Sequence, residues 1–394
     1  MIPEHRLAVL LDQVQDQQIR QCLYHNTTQP PSLYHDHECD RGDFPMHLYQ
    51  DLREHTDEVW YLEFSHDGSM LASAGKDNKV VIYSTTNWRS MWQFQEDHDM
   101  GSSDTGICYI SWSPDDRYLL SCSQAKEMVL YDTRTGHKIG TIDHFTYPVT
   151  TAAWAPDGSS FVVGSQDSAR PLGLYEFPSQ ENVYTWLSED EVSMRINDCS
   201  ISADGSRLAA ITSDSRVLVY NFQTREKLAE WSMEDRLTCV GLSSNGKSLL
   251  VSMNEGRLML LDSETGRVKQ RYSSLRQSEF VIRSAFGGAN ENFVISGSEG
   301  EFFRFDAEST PCSLLTLDMQ IPASTSGGHR QANWWPLSRR TIRAPLTASR
   351  GIRPISPFSL LPATTTRSKC KSLPFAFARR HRLDVSLPFL PCVY

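Results

Sequence analysis

Apolar and polar residues alternate in short runs along most of this chain, and the runs come in groups of four. VWYLEF (59–64) alternates as an inner strand, MLASAG (70–75) and KVVIYS (79–84) follow as the second and third, and a fourth run lies within WRSMWQFQ (88–95). Such alternation sends every second side chain to one face, the pattern of a half-buried strand. Asp67-Gly68 supplies a tight hairpin between the first two runs, and Lys76-Asp77-Asn78 turns between the second and third. The group then recurs. Its third run ends each time on a large apolar residue followed by a polar one: VVIYS (80–84), MVLYD (128–132), LGLYE (172–176), VLVYN (217–221), LMLLD (258–262) and FFRFD (302–306). With Tyr83, Tyr131, Tyr175, Tyr220, Leu261 and Phe305 as markers, the steps are 48, 44, 45, 41 and 44 residues. Four short strands repeating at this period predict an all-β chain of the β-propeller type, with six legible blades and an incomplete seventh.

The two ends depart from the repeat. Residues 4–24 read as one helix, with Pro3 tolerated at its start and Leu7, Leu10, Leu11 and Val14 forming an i, i+3, i+4, i+7 stripe. Pro30 and Pro31 end it. Residues 42–53 are expected to form the outer strand of the closing blade. After Asp306 the alternation stops, and residues 307–394 hold 10 Pro and 11 Ser in 88 positions. That composition reads as disorder or non-native sequence. His329 falls 24 residues after Phe305, as His98 and His144 fall 15 and 13 after Tyr83 and Tyr131, so a seventh blade is announced and not delivered. The division is thus an N-terminal helix and linker (1–41), a propeller (42–306) and a basic tail (307–394).

Charge sharpens the last boundary. The formal net charge is -10, with 38 Lys+Arg and 48 Asp+Glu. Residues 307–394 carry 12 basic and 3 acidic side chains, a net of +9, which leaves 26 basic and 45 acidic before them, a net of -19. An acidic body disfavours nucleic acid as a partner. Basic clusters such as Arg339-Arg340 and Arg379-Arg380 lie in the tail without an aromatic platform beside them. No run approaches the roughly 20 apolar residues of a membrane helix, so no membrane association is expected. The nine cysteines form no CxxC pair, which fits reduced thiols in cytoplasm or nucleus. Walker, GxGxxG, HExxH and GxSxG patterns are absent, and no cofactor is expected.

Two groups of residues invite a chemical reading. His55, Ser73 and Asp77, and again His144, Ser165 and Asp167, combine the residue types of a hydrolase triad. They recur with the blades, as a structural device does and a single active site does not. HDHEC (35–39) offers His35, Asp36, His37, Glu38 and Cys39 as metal donors. Alternate side chains of so short a run diverge, and no second cluster stands at a zinc-like spacing, so the expectation is a surface loop on the propeller edge and no metal. The expected partners are proteins, held by loops on the faces of the ring; Trp60, His98, Asp99, Trp112 and Trp154 are the candidate contacts.

The segments CLYHN (22–26), DHECDRGDFP (36–45) and EVWYLEFSHDG (58–68) resemble the family of WD repeat-containing protein 26 and glucose-induced degradation protein 7, and the likeness runs from about Ile2 to Asp306. The resemblance implies a WD-repeat β-propeller, His–Ser–Asp hydrogen-bond networks inside its blades, and a role as a non-catalytic subunit of the GID/CTLH ubiquitin ligase that recruits degradation substrates. It also implies LisH, CTLH and CRA helical modules ahead of the propeller. No counterpart of them precedes the helix in this sequence, so the family's oligomerisation is not expected here. Tyr131-Asp132-Thr133-Arg134 is similar to the box by which some WD-repeat proteins dock on a cullin-4 adaptor, with tyrosine in place of tryptophan. The simpler reading of Asp132 and Arg134 is a strand end and a turn.

Overall fold

The computed structural model describes residues 5–22, 31–37, 39, 50–96, 105–187, 193–272, 281–287, 291, 293–298, 304–306, 313–318, 375–379 and 382–386. Helix α1 (Arg6–Gln21) is followed by β1 (Gln50–Leu52). The first sheet contains β2 (Val59–Phe64), β3 (Met70–Gly75), β4 (Lys79–Ser84) and β5 (Ser90–Gln95). The second contains β6 (Ile107–Trp112), β7 (Tyr118–Ser123), β8 (Met128–Asp132) and β9 (His137–Ile142). The third contains β10 (Val149–Trp154), β11 (Ser160–Ser165), β12 (Leu172–Glu176) and β13 (Asn182–Trp186). The fourth contains β14 (Ile196–Ile201), β15 (Arg207–Thr212), β16 (Arg216–Asn221) and β17 (Lys227–Ser232). The fifth contains β18 (Leu237–Leu242), β19 (Ser248–Met253), β20 (Arg257–Asp262) and β21 (Val268–Tyr272). All five are antiparallel meanders in chain order. They are blades of a β-propeller, as the period predicts.

Within a blade the turns are specified locally. Between the first two strands a residue must adopt φ > 0, and Gly68, Gly158, Gly205 and Gly246 supply it at no steric cost. The second sheet puts Asp116 there at φ 58. That carboxylate works on the neighbouring blade, accepting hydrogen bonds from the backbone N–H of His66 (2.6 Å) and Asp67 (2.9 Å). The marker residues of the third strands, Tyr83, Tyr131, Tyr175, Tyr220 and Leu261, are all buried.

No sheet buries its faces alone. One apolar cluster joins Ala72, Ala74, Val80 and Ile82 of the first sheet to Ile107, Ile110, Trp112 and Leu119 of the second. The next joins Leu120, Met128 and Leu130 of the second to Val149, Trp154 and Phe161 of the third. Equivalent clusters bridge the third to the fourth sheet and the fourth to the fifth. Burial at roughly 25 cal/mol per Å² is therefore collected between blades. Tryptophans tie the same seams with hydrogen bonds: Trp112 Nε1 donates to Glu63 O (3.1 Å) and Trp154 Nε1 to Ser111 O (3.3 Å), one blade back each time.

The sixth sheet departs from the expected meander. Its order is β22 (Ser284–Gly287), β23 (Phe293–Ser298), β25 (Ser313–Asp318), β24 (Arg304–Asp306). FFRFD is expected to supply the third strand, yet SLLTLD (313–318) takes that position and pairs parallel with β23 over six residues. Only Arg304–Asp306 pair beyond it, at the edge. β1 is the edge strand of a three-stranded sheet with β27 (Arg382–Ser386) and β26 (Phe375–Arg379). Paired strands are thus described beyond Asp306; the rest of 307–394 lies outside the described residues. Helix α1 is shorter at both ends than the sequence reading, and Leu7, Leu10, Leu11 and Val14 are exposed, so its stripe is not buried against the blades.

Among the described residues the seam between the fifth and sixth sheets is the thinnest, with Leu250, Leu258, Leu260, Tyr272 and Val294 as its buried members. Backbone amides of β22 and β23 should therefore exchange with deuterium well before those of β7, β11 and β15. Equal protection across these strands, measured by exchange mass spectrometry, would show that seam size does not set blade stability.

Candidate functional site

The innermost strands β2, β6, β10, β14 and β18 enter their sheets from the same end, so the residues just before them share one face of the ring. That face carries Tyr147 and Arg195, both exposed, with the Arg195 guanidinium 5.8 Å from the Tyr147 ring centroid. Trp60 is half-buried there, its Nε1 donating to Glu58 Oε2 at 3.2 Å. Its ring covers Gly106 so closely that a Cβ at that position has no room. An aromatic and cationic face of this kind suits protein contacts, where Trp, Tyr and Arg dominate binding energy.

Below it, side chains from the first four sheets converge around Arg283. Arg283, just before β22, donates through Nη1 to Asp198 Oδ2 of β14 at 2.7 Å. Its guanidinium also lies 5.0 Å from the Tyr61 ring centroid and 4.6 Å from that of Tyr109, and those rings are 4.3 Å apart. Asp198 is 1% exposed and accepts further bonds from Thr151 Oγ1 (2.9 Å) and Val240 N–H (3.0 Å). Enclosure alone would weaken the proton on Arg283, but the Asp198 carboxylate holds the pKa above its ordinary value. A buried ion pair with its remaining lone pairs bonded costs little in place, and far more if one partner is removed. Burial pushes the nearby thiols Cys108, Cys199 and Cys239 up to about 12, so they stay protonated and poorly nucleophilic at neutral pH.

The first of the two His–Ser–Asp sets forms as expected. His55 Nδ1 lies 3.0 Å from Asp77 Oδ1 and Nε2 lies 2.7 Å from Ser73 Oγ, with His55 and Ser73 both buried. Burial works to raise the Asp77 pKa, but bonds from His55 and the Thr56 N–H bring it below its ordinary value. The second set does not form. His144 is exposed, with Nε2 3.3 Å from the Tyr175 hydroxyl, while Ser165 Oγ donates to Arg170 O and accepts from the Asp167 N–H. The reason is register. Asp167 accepts the Thr146 N–H as Asp77 accepts that of Thr56, so Phe145 is the residue that corresponds to His55. By strand pairing Val163 corresponds to Ser73. The third blade thus fills the place of the imidazole with an apolar ring.

The second blade solves the same problem with a residue that sequence reading missed. Glu96 is buried and accepts from Ser121 Oγ (2.6 Å) and Tyr131 Oη (2.7 Å), where Ser121 and Tyr131 correspond to Ser73 and Tyr83. The signal was a carboxylate directly after the fourth strand, where the first blade has only a loop before its histidine. Arg283 and Asp198 had no periodic signal at all.

The other candidates divide as follows. Trp112 and Trp154 are buried with their indole N–H groups on the preceding blade, so they serve the seams and present nothing to a partner. Asp132 is buried and accepts from the N–H groups of Arg134 (2.9 Å) and Thr135 (3.1 Å). Asn221 and Asp262 make the same turn in later blades, so the residue closes a hairpin. Arg134 is exposed. His98 and Asp99 lie outside the described residues. No described helix is long and apolar enough to cross a membrane.

Comparison with known proteins agrees with this architecture. Residues 46–84, 94–132 and 136–169 match the model of the WD domain, G-beta repeat. The chain is 34% identical to GID complex subunit 7 of Schizosaccharomyces pombe, over 82% of this chain and 62% of that protein. It is 33% identical to a WD repeat-containing protein WDS homolog of Arabidopsis thaliana, over 76% of this chain and 56% of that one. A WD repeat-containing protein 26 homolog of the same plant is 31% identical, over 76% and 50% respectively. The chain therefore spans between half and about three fifths of the length of these relatives.

One buried carboxyl gives the site a pH dependence. Glu63 Oε2 has neither solvent nor a hydrogen-bond partner, and burial together with the charge of Asp116 pushes its pKa up to about 8. Between the ordinary value of 4.5 and about 8, the folded chain keeps a proton that the unfolded chain has lost, so this group lowers stability as pH rises through that window. Glu63→Gln should melt progressively above wild type as pH is raised from 5 to 8. Melting curves that stay parallel across this range would show that Glu63 is ionised in the fold.

Proposed function

The chain is a WD-repeat protein homologous to WD repeat-containing protein 26 homologs and to GID complex subunit 7, and on that premise we propose that it is a non-catalytic subunit of a GID/CTLH-type ubiquitin ligase. It scaffolds ligase subunits and recruits proteins for degradation, in the cytoplasm or nucleus. The observation that carries this reading is the 34% identity to GID complex subunit 7 across 82% of the chain. The non-catalytic part is supported by buried polar groups that the fold itself employs: Ser73 is enclosed against His55, and the thiols near Arg283 are held protonated. Cys22, Cys108, Cys122, Cys199 and Cys239 form no disulfide, which supports a reducing compartment.

Recruitment falls to the face that carries Trp60, Tyr147 and Arg195. Tyr147 and Arg195 touch each other and leave the seams undisturbed, so both can be changed without unfolding a blade. Tagged full-length chain should recover GID-type ligase subunits from cells. Tyr147→Ala combined with Arg195→Glu should lower recovery of a partner about tenfold, the equivalent of one lost contact of roughly 1.4 kcal/mol, with an unchanged melting temperature. Recovery of no ligase subunit by the wild-type chain would overturn the ligase assignment. Undiminished recovery of every partner by the double variant would move recruitment to another surface.

A further inference from the structure

Helix α1 is poorly held by packing. Leu7, Val9, Leu10, Leu11 and Val14 are all exposed, and a helix of this length is marginal in water without a partner surface. Its C-terminal half is nevertheless joined to the segment that carries Pro31 and Cys39. Gln15 Nε2 donates to Pro31 O at 2.7 Å, and the Cys39 N–H donates to the Cys22 sulfur at 3.4 Å. Cys22 caps the helix. At that junction the donor atoms of Cys22, His37 and Cys39 lie within 4.8 Å of one another, with Cys39 Sγ 3.3 Å from His37 Nε2.

We propose that Cys22, His37 and Cys39 bind a zinc ion that clips the end of helix α1 to this segment. Zn–S bonds of about 2.3 Å and Zn–N bonds of about 2.0 Å at tetrahedral angles put neighbouring donor atoms roughly 3.3 to 3.8 Å apart. The Cys39–His37 separation already falls there, and the third atom needs a side-chain adjustment of about an ångström. Two thiolates and an imidazole are the soft and borderline donors that favour zinc over calcium or magnesium. The Cys39 N–H directed at the Cys22 sulfur favours the thiolate form of that ligand. Binding exchanges the two thiol protons, released to solvent, for the metal, and no oxidant or reductant takes part. Three protein donors leave the fourth position to water or to one more side chain.

HDHEC on its own does not show this site, since its described members His35 and Asp36 take no part. The convergence exists because Cys22, at the far end of a helix, folds back onto alternate residues of that run. In the sequence Cys22 also opens a Cys-X2-His spacing with His25, which lies outside the described residues.

The test uses the full chain purified without chelator. Elemental analysis should find about one zinc per chain, and the metal should fall to background in Cys22→Ser, Cys39→Ser and His37→Ala variants. Because the clip lies outside the blades, these variants should keep the cooperative melt of the propeller. On the wild-type chain, iodoacetamide should label Cys22 and Cys39 only after a chelator is added, which keeps the question answerable if a variant fails to fold. Zinc content near zero, unchanged zinc in all three variants, or a Cys22–Cys39 disulfide in non-reducing peptide mapping would each overturn the proposal.

Discussion

The packing of one sheet's face against the next is the constraint on which the rest of this protein depends. A four-stranded sheet has two faces, and apart from its edges neither can stay in water at acceptable cost. Here every main apolar cluster is shared by consecutive sheets, as when Ile110 and Trp112 of the second lie against Ala72 and Ile82 of the first. The small residues matter as much as the large ones. Ala72, Ala74, Ala152 and Ala210 let facing strands approach while aromatic side chains fill what remains. Stability in such an array is a sum of nearest-neighbour seams, so a thin seam weakens only the blades that share it.

Once the seams hold the blades, polar chemistry inside them becomes interchangeable. The position between the second and third strands is filled by His55 with Ser73 and Asp77 in the first blade, by Glu96 with Ser121 and Tyr131 in the second, and by Phe145 over Val163 in the third. Each solution satisfies its buried donors and acceptors or has none to satisfy. The same rigidity lets Arg283, just before β22, reach Asp198 of the fourth sheet while its guanidinium lies beside the paired rings of Tyr61 and Tyr109. These polar groups are thus committed to holding the blades in place.

Much of this was legible in the sequence. The boundaries of β2, β3 and β4 match the runs read from the sequence, because the short apolar runs end where Asp67-Gly68 and Lys76-Asp77-Asn78 signal turns. Equivalence between blades was harder to read. His144 stands one residue from the true counterpart of His55, and only the N–H bonds of Thr56 and Thr146 to their aspartates fix the register. Tryptophans looked like contact residues because composition cannot tell an exposed indole from one that donates to the neighbouring blade. The sixth sheet was misjudged because strand order there is set by a long-range parallel pairing. Cys22 and Cys39 are 17 residues apart, and local pattern gives no hint that a helix end returns to that loop.

The account rests on burial being shared across seams, and Trp154 offers the most direct measurement of it. This side chain belongs to the third sheet, packs with Leu120 and Leu130 of the second, and donates to Ser111 O. Truncation of a buried tryptophan to alanine costs about 3 to 5 kcal/mol. Hydrogen exchange in Trp154→Ala should show protection falling together in β7 and β8 of the second sheet and in β10 and β11 of the third, with β19 and β20 of the fifth unchanged. A loss confined to the third sheet, or spread evenly over all of them, would contradict the nearest-neighbour account.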